Sequence, residues 1–189
     1  MFERTRKSID LEKHWRALDF APGLAVPSRN DFKPYEMAEL IPDIAIGKVR
    51  EASVEVVMAG SNITDRVAAD ITGQNYMEFI AEAQRPMMMQ LLHLVIAHPV
   101  GVCLQMESNY ARGYVLALEI TILPVCGEDY DPNYVLTLST MQEGKPPMPS
   151  PALMGEPVAA NWHGPIRWID LGSGLPAAAK AEPSMTSAD

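Results

Sequence analysis

The sequence has few cysteines, few basic residues and no long apolar run, and each shortage narrows the class of protein. Its two cysteines, Cys103 and Cys126, lie in apolar strand-like segments, where geometry leaves a disulfide open but a reducing cytosol favours two buried thiols. Lysine and arginine total 15 against 24 aspartates and glutamates, and the net charge of −9 disfavours nucleic acid and anionic membranes as partners. With neither a membrane-spanning run nor the apolar core of a signal peptide, we expect a cytoplasmic protein.

Motifs that carry chemistry are also missing. No nucleophile with a partnered base, no metal-ligand spacing and no phosphate-binding loop occurs between Val54 and Asn109. The acidic loop at 128–131 lacks the glycine and the distal glutamate of a calcium loop. The length of 189 residues suits one sizeable core with tails. We therefore predict a single domain that is not an enzyme and holds no metal.

Apolar periodicity predicts an amphipathic helix near the start of the chain, over residues 8–20. Leu11, Trp15 and Leu18 recur at positions i, i+4 and i+7, and Ser8 is a suitable N-cap. We expect this apolar stripe to be the contact of a homodimer.

Strands and one long helix are predicted from the patterns that follow. Residues 44–48 and 54–59 indicate a hairpin, and the strongly apolar segment 83–98, ended by Pro99, indicates a largely buried helix. Alternation of apolar and polar residues then predicts three antiparallel strands, around 102–107, 116–122 and 136–138.

The composition changes after Met141, where prolines crowd together. Trp162 and Trp168 interrupt this segment, and we expect them to dock on the domain as an extra strand or clip, because their exposure to water would be unfavourable. Disorder is predicted beyond Gly172. The predicted organisation is an N-terminal helix and connector over 1–25, an α+β domain over 26–141, and a Pro-rich linker with a Trp-containing clip and a disordered tail over 142–189.

Several short motifs resemble the compact PAS-like family common in alphaproteobacteria. They are Trp15, Pro27-Ser28-Arg29-Asn30-Asp31-Phe32-Lys33-Pro34, Leu40-Ile41-Pro42, Met58-Ala59-Gly60 and Asp70-Ile71-Thr72-Gly73. Two positions depart from the family pattern, which has an arginine where this chain has Val57 and a glycine where it has Ala68.

The resemblance implies an α+β fold, in which a five-stranded antiparallel sheet is flanked by short helices and one long helix. It also implies a sensory or regulatory role through contacts with an unidentified signalling protein, with a small apolar ligand held between helix and sheet. The expected pocket residues are Val56, Met58, Met88, Leu92, Val95, Met106, Leu118 and Leu138.

The sequence does not identify a cofactor, and neither haem nor flavin is expected. His93 and His98 lie on the long helix, where haem-binding PAS domains place their iron ligand, but ordinary roles at the helix end and the sheet boundary are favoured. Flavin photochemistry requires a helix-borne cysteine in an Asn-Cys-Arg setting, which this sequence lacks.

Two other functions stay open. A cone-shaped α+β enzyme or carrier would use Asp65 or Asp70 with His93 as an acid–base pair. A ligand-free interaction scaffold would fill its pocket with its own side chains and use the N-terminal helix as a dimer contact.

Overall fold

An antiparallel sheet of six strands forms the centre of the computed structural model, which describes residues 2–20, 23–142, 144 and 148–180. The helices are α1 (Arg6–Arg16), α2 (Ser61–Val67), α3 (Arg85–Ala97) and α4 (Pro151–Met154). The strands are β1 (Ile44–Val49), β2 (Val54–Ala59), β3 (Val100–Tyr110), β4 (Val115–Val125), β5 (Tyr134–Met141) and β6 (Pro157–Asp170). Short 3-10 helices at Ile41–Asp43 and Tyr76–Phe79 complete the elements that shape the site.

The strand order is β2-β1-β5-β4-β3-β6, so the predicted number of five strands is wrong by one. The additional strand β6 pairs with β3 along the edge of the sheet and contains Trp162 and Trp168. The pairing register shifts near Gly164 and Pro165, which is where an edge strand tolerates a proline. The sequence predicted this segment only as an extra strand or clip, because prolines and glycine interrupt its apolar alternation.

The end of the chain also differs from the prediction. Residues 177–180 form a 3-10 helix, within the segment predicted to be disordered beyond Gly172. Residues 181–189 of that predicted tail, and Pro146 and Pro147 of the predicted linker, lie outside the described residues. Within the ranges given above, no helix is long and apolar enough to cross a membrane.

Both faces of the sheet are covered. Helix α3 packs on the inner face, where Met88 and Leu92 join the core formed by β3 and β4. Helix α1 packs on the outer face, where Leu11 and Trp15 join Leu123 of β4 in a second core. Strand β4 is therefore buried almost without interruption, as expected of a strand that is covered on both sides.

Helix α1 begins earlier than the sequence predicted. Thr5, not Ser8, is the N-cap, and its hydroxyl accepts the backbone N–H of Ser8. The backbone N–H and hydroxyl of Thr5 in turn donate to the buried carboxylate of Glu119, at 3.0 and 2.7 Å. This carboxylate holds the start of the helix on β4 and explains why the helix is capped by Thr5 and not by Ser8.

The predicted dimer contact lies mostly inside the protein itself. Leu11 and Trp15 are fully buried against the sheet, and the indole nitrogen of Trp15 donates to the carbonyl of Pro124 at 2.8 Å. Leu18 lies beyond the end of the helix and is partly buried. The apolar stripe of this helix therefore packs α1 on the sheet of its own chain. The apolar periodicity of the sequence is the same for such an internal contact and for a contact between two chains.

Replacing Ala68 with glycine is expected to stabilise the protein. Ala68 ends helix α2 with a φ of 54°, in the left-handed region that favours glycine. Removing its Cβ should raise the free energy of unfolding by up to about 1 kcal/mol, measured by urea unfolding. Ala69→Gly, one residue further, serves as the control and should give no gain. An unchanged or lower stability of Ala68→Gly would contradict the prediction.

Candidate functional site

An apolar cavity of about 100 Å³ lies between the inner face of the sheet and the helical segments α2, α3 and Tyr76–Phe79. Five of the eight predicted pocket residues lie on its wall: Val56, Met88, Leu92, Met106 and Leu118. Ile63 and Ile71 close it from the side of α2. The two methionines have flexible thioether side chains, so this wall can adjust to an occupant.

Three predicted pocket residues lie elsewhere. Val95 of α3 is buried in the inner core without lining the cavity. Leu138 of β5 packs in the outer core under α1. Met58 is about one third exposed at the edge strand β2.

The displacement of Met58 has a local cause. The register between β1 and β2 shifts so that Ile46 pairs with Met58 and Gly47 pairs with Val56, which leaves Val57 as an extra residue. Such a bulge reverses which side chains face inward beyond it. Val57, where the family pattern has an arginine, packs against the outer core, away from the cavity.

A buried arginine, which the sequence analysis did not select, lies at one end of the cavity. Arg66 of α2 is 6% exposed and donates from Nη2 to the carbonyl of Ser139 at 2.9 Å. A sequence signal for it exists, because Ile63, Arg66 and Val67 lie at i, i+3 and i+4 and share one helix face. An arginine between apolar residues on such a face indicates a cation directed at the core.

Arg66 belongs to a charged group that reaches from the cavity to α1. Its Nη1 lies 3.7 Å from the carboxylate of Asp43, which is itself buried. Both oxygens of Asp43 have nearer partners, Lys7 of α1 at 2.7 Å and the amide of Asn62 at 2.8 Å. We call Arg66, Asp43 and Lys7 the charged triad. It contains two cations and one anion.

Two phenol side chains face the same cavity. Tyr76 and Tyr110 line it together with Arg66. Burial raises the pKa of both phenols, while the nearby positive charge of Arg66 acts in the opposite direction. Burial also lowers the pKa of the Arg66 guanidinium, and Asp43 opposes this shift. The cavity is therefore apolar along most of its wall and carries polar donors at one end.

The residues present do not fit a haem or a flavin adduct. His93 is exposed and its Nε2 lies 3.0 Å from the Arg50 carbonyl, while His98 contacts the Gly174 carbonyl, so neither faces the cavity. Cys103 packs in the outer core, where burial raises the pKa of its thiol to about 11. Cys126 is a free, buried thiol in the same core. In the described part of the chain, no group of three or more histidine, cysteine, aspartate or glutamate side chains is placed to hold a metal.

The acid–base pair of the alternative enzyme is not formed. Among the described residues, no hydrogen bond or ion pair joins His93 to Asp65 or Asp70. The carboxylate of Asp70 instead accepts the backbone N–H of Thr72 at 2.9 Å, a bond that lowers its pKa. This Asp70 interaction is an ordinary turn contact.

The sequence profile of the PAS domain family matches residues 3–139. No curated protein matches the sequence.

Similar solved structures include light-oxygen-voltage (LOV) domains. One, studied with a flavin analogue, shares 8% identity over 58% of this chain and 84% of its own, with a TM-score of 0.45. The Rhodobacter sphaeroides LOV protein shares 13% identity over 59% of this chain and 68% of its own, with a TM-score of 0.44. Vibrio cholerae VqmA shares 14% identity over 58% of this chain and 52% of its own, with a TM-score of 0.46.

The family of the protein follows from the sequence match over residues 3–139. That match includes α1, α2 with Arg66, strands β1 to β4 and most of β5. Because it covers well over half of the chain, the resemblance predicted from the sequence is confirmed: the protein belongs to the PAS domain family, whose members generally sense signals.

Proposed function

We propose that this protein is a sensory regulator that acts through protein contacts and is gated by a small ligand in the cavity. The observation that carries the proposal is the cavity itself, which lies under the sheet and is lined mainly by apolar side chains from both layers. An occupant that fits one arrangement of these side chains better than another shifts the equilibrium between them.

The charged triad supports a route from the cavity to the surface. Arg66 lines the cavity, Asp43 lies between the two cations, and Lys7 is on α1 with nearly half of its side chain exposed. A change in the position of Arg66 would alter the contact of Asp43 with Lys7. Helix α1 is therefore the element whose surface we expect to respond.

We also propose that the protein forms a homodimer through the region of α1, but through residues other than the predicted Leu11 and Trp15. Leu11 and Trp15 are occupied inside the chain, whereas Ile9 and Phe20 are each more than one third exposed. A second copy would therefore contact Ile9 and Phe20.

Native mass spectrometry of protein purified gently from its natural host tests the proposal. We expect additional mass that is lost on denaturation, and we expect Leu118→Trp to reduce the occupied fraction roughly tenfold, since a larger side chain fills the cavity. Val115→Trp, at an exposed position of the same strand, is the control and should keep the ligand. Wild-type protein without additional mass would contradict ligand gating and favour the scaffold.

A further inference from the structure

The cavity has a chemical polarity that restricts its occupant. Most of its lining side chains are apolar. Arg66 lies near Tyr76 and Tyr110, and the other polar groups of the wall are the neutral hydroxyls of Ser108, Thr137 and Ser139. A ligand that fits this arrangement has an apolar body and one polar group that accepts hydrogen bonds.

The hydrogen bonding of Arg66 is incomplete within the protein. A guanidinium has five N–H donors. Among the described residues, Arg66 makes one hydrogen bond, to the Ser139 carbonyl. Its distance of 3.7 Å from Asp43 is too long for a hydrogen bond. None of its nitrogen atoms is both enclosed and without a partner, and Arg66 also lines an open groove with Lys7 and Asp43, so its remaining donors are available to a further acceptor.

The charge around Arg66 favours an anion as that acceptor. Asp43 is shared with Lys7 at 2.7 Å and with Asn62 at 2.8 Å, so its negative charge is divided between two cations. The charged triad therefore has a net charge of +1. Tyr76 and Tyr110 lie near Arg66, and their hydroxyls add two neutral donors.

We propose that the cavity binds a small monocarboxylate, with its carboxylate on Arg66 and the two tyrosines and its apolar part against Met88, Met106 and the sheet. Planar guanidinium groups bind carboxylates in a bidentate manner, which suits a single carboxylate. This inference rests on the proposed function and specifies the ligand class.

The size of the cavity limits the apolar part of the ligand. A cavity of about 150 Å³ holds benzene, so about 100 Å³ accommodates a short aliphatic chain, and movement of the methionines admits a single ring. Drug-sized ligands occupy about 300–1,000 Å³ and do not fit this arrangement. Butyrate and benzoate are therefore the probes of choice.

The test compares each acid with its neutral amide, using protein labelled with ¹³C at the methionine methyl groups. We expect butyrate and benzoate to shift the signals of Met88 and Met106, which line the cavity, and to leave exposed Met58 unchanged. Butyramide and benzamide should bind at least about tenfold more weakly, because they lack the charge that Arg66 requires. The wild-type comparison needs no variant, so it does not depend on the stability of a mutant.

Variants of Arg66 locate the preference. Arg66→Gln should reduce the preference for acid over amide to roughly twofold or less, whereas Arg66→Lys, which keeps the charge, should retain part of it. Equal binding of acids and amides at Met88 and Met106 would overturn the carboxylate assignment and leave the ligand-gated function intact. Failure of all four probes to shift these signals would overturn it too. The native mass of the wild-type protein tests ligand gating separately, and additional mass there would leave the proposed function intact even if all four probes fail.

Discussion

Trp15→Ala is expected to lower the free energy of unfolding by about 3–5 kcal/mol, the range for removal of a large buried aromatic side chain. The side chain of Trp15 is fully buried where α1 packs on the sheet. Its ring packs edge-to-face on the ring of Phe20, with the two centroids 5.1 Å apart. The substitution leaves a cavity in the outer core and also leaves the Pro124 carbonyl without its indole donor. Urea unfolding monitored by circular dichroism measures the loss.

Lys13→Ala on the exposed side of the same helix is the matched control and should change the stability by less than about 0.5 kcal/mol. The result separates two roles of Trp15. A large loss of stability that does not depend on protein concentration agrees with burial inside one chain. A change confined to the oligomeric state, with stability of the monomer preserved, would contradict the packing described for α1.

Asp43→Ala is expected to cost a similar amount, about 3–5 kcal/mol, because it leaves the Arg66 guanidinium buried without an opposite charge. Lys7 can turn toward water after the substitution, since nearly half of its side chain is exposed, but Arg66 cannot. Asn62 also loses the acceptor of its amide. Chemical denaturation gives the magnitude.

A double variant identifies the cause of that loss. Arg66→Met removes the buried charge, so Asp43→Ala combined with Arg66→Met should be substantially more stable than the sum of the two single effects predicts. Simple additivity would show that Asp43 acts through its contacts with Lys7 and Asn62, and not through the charge of Arg66.

The sequence predicted the order of the elements well because most of them have a clear apolar period. The hairpin of β1 and β2 and the long helix α3 agree with the patterns at 44–48, 54–59 and 83–98 to within a few residues. The sixth strand was expected only as an extra strand or clip, because proline and glycine interrupt the alternation of β6.

The facing of individual side chains was harder to predict. Both faces of β5 are covered, so apolar side chains point to both sides of the sheet and do not alternate with polar ones. The sequence pattern therefore could not show that Val135 lines the cavity whereas Leu138 faces α1. On β2, the bulge at Val57 turns Met58 away from the cavity, and no sequence motif near Val57 predicts that bulge. Arg66 was missed because a single charged residue on a short helix is usually solvated.

The position of α1 on the outer face has a consequence for how the chain folds during synthesis. Thr5 and Trp15 are synthesised well before their partners Glu119 and Pro124, which lie more than one hundred residues further along the chain. Strand β1 likewise pairs with β5, which is made much later. Until the ribosome has produced β4 and β5, the apolar side of α1 has nothing to pack on. Contacts of such high sequence separation slow folding, and the nascent α1 segment stays open to association with other chains in the meantime.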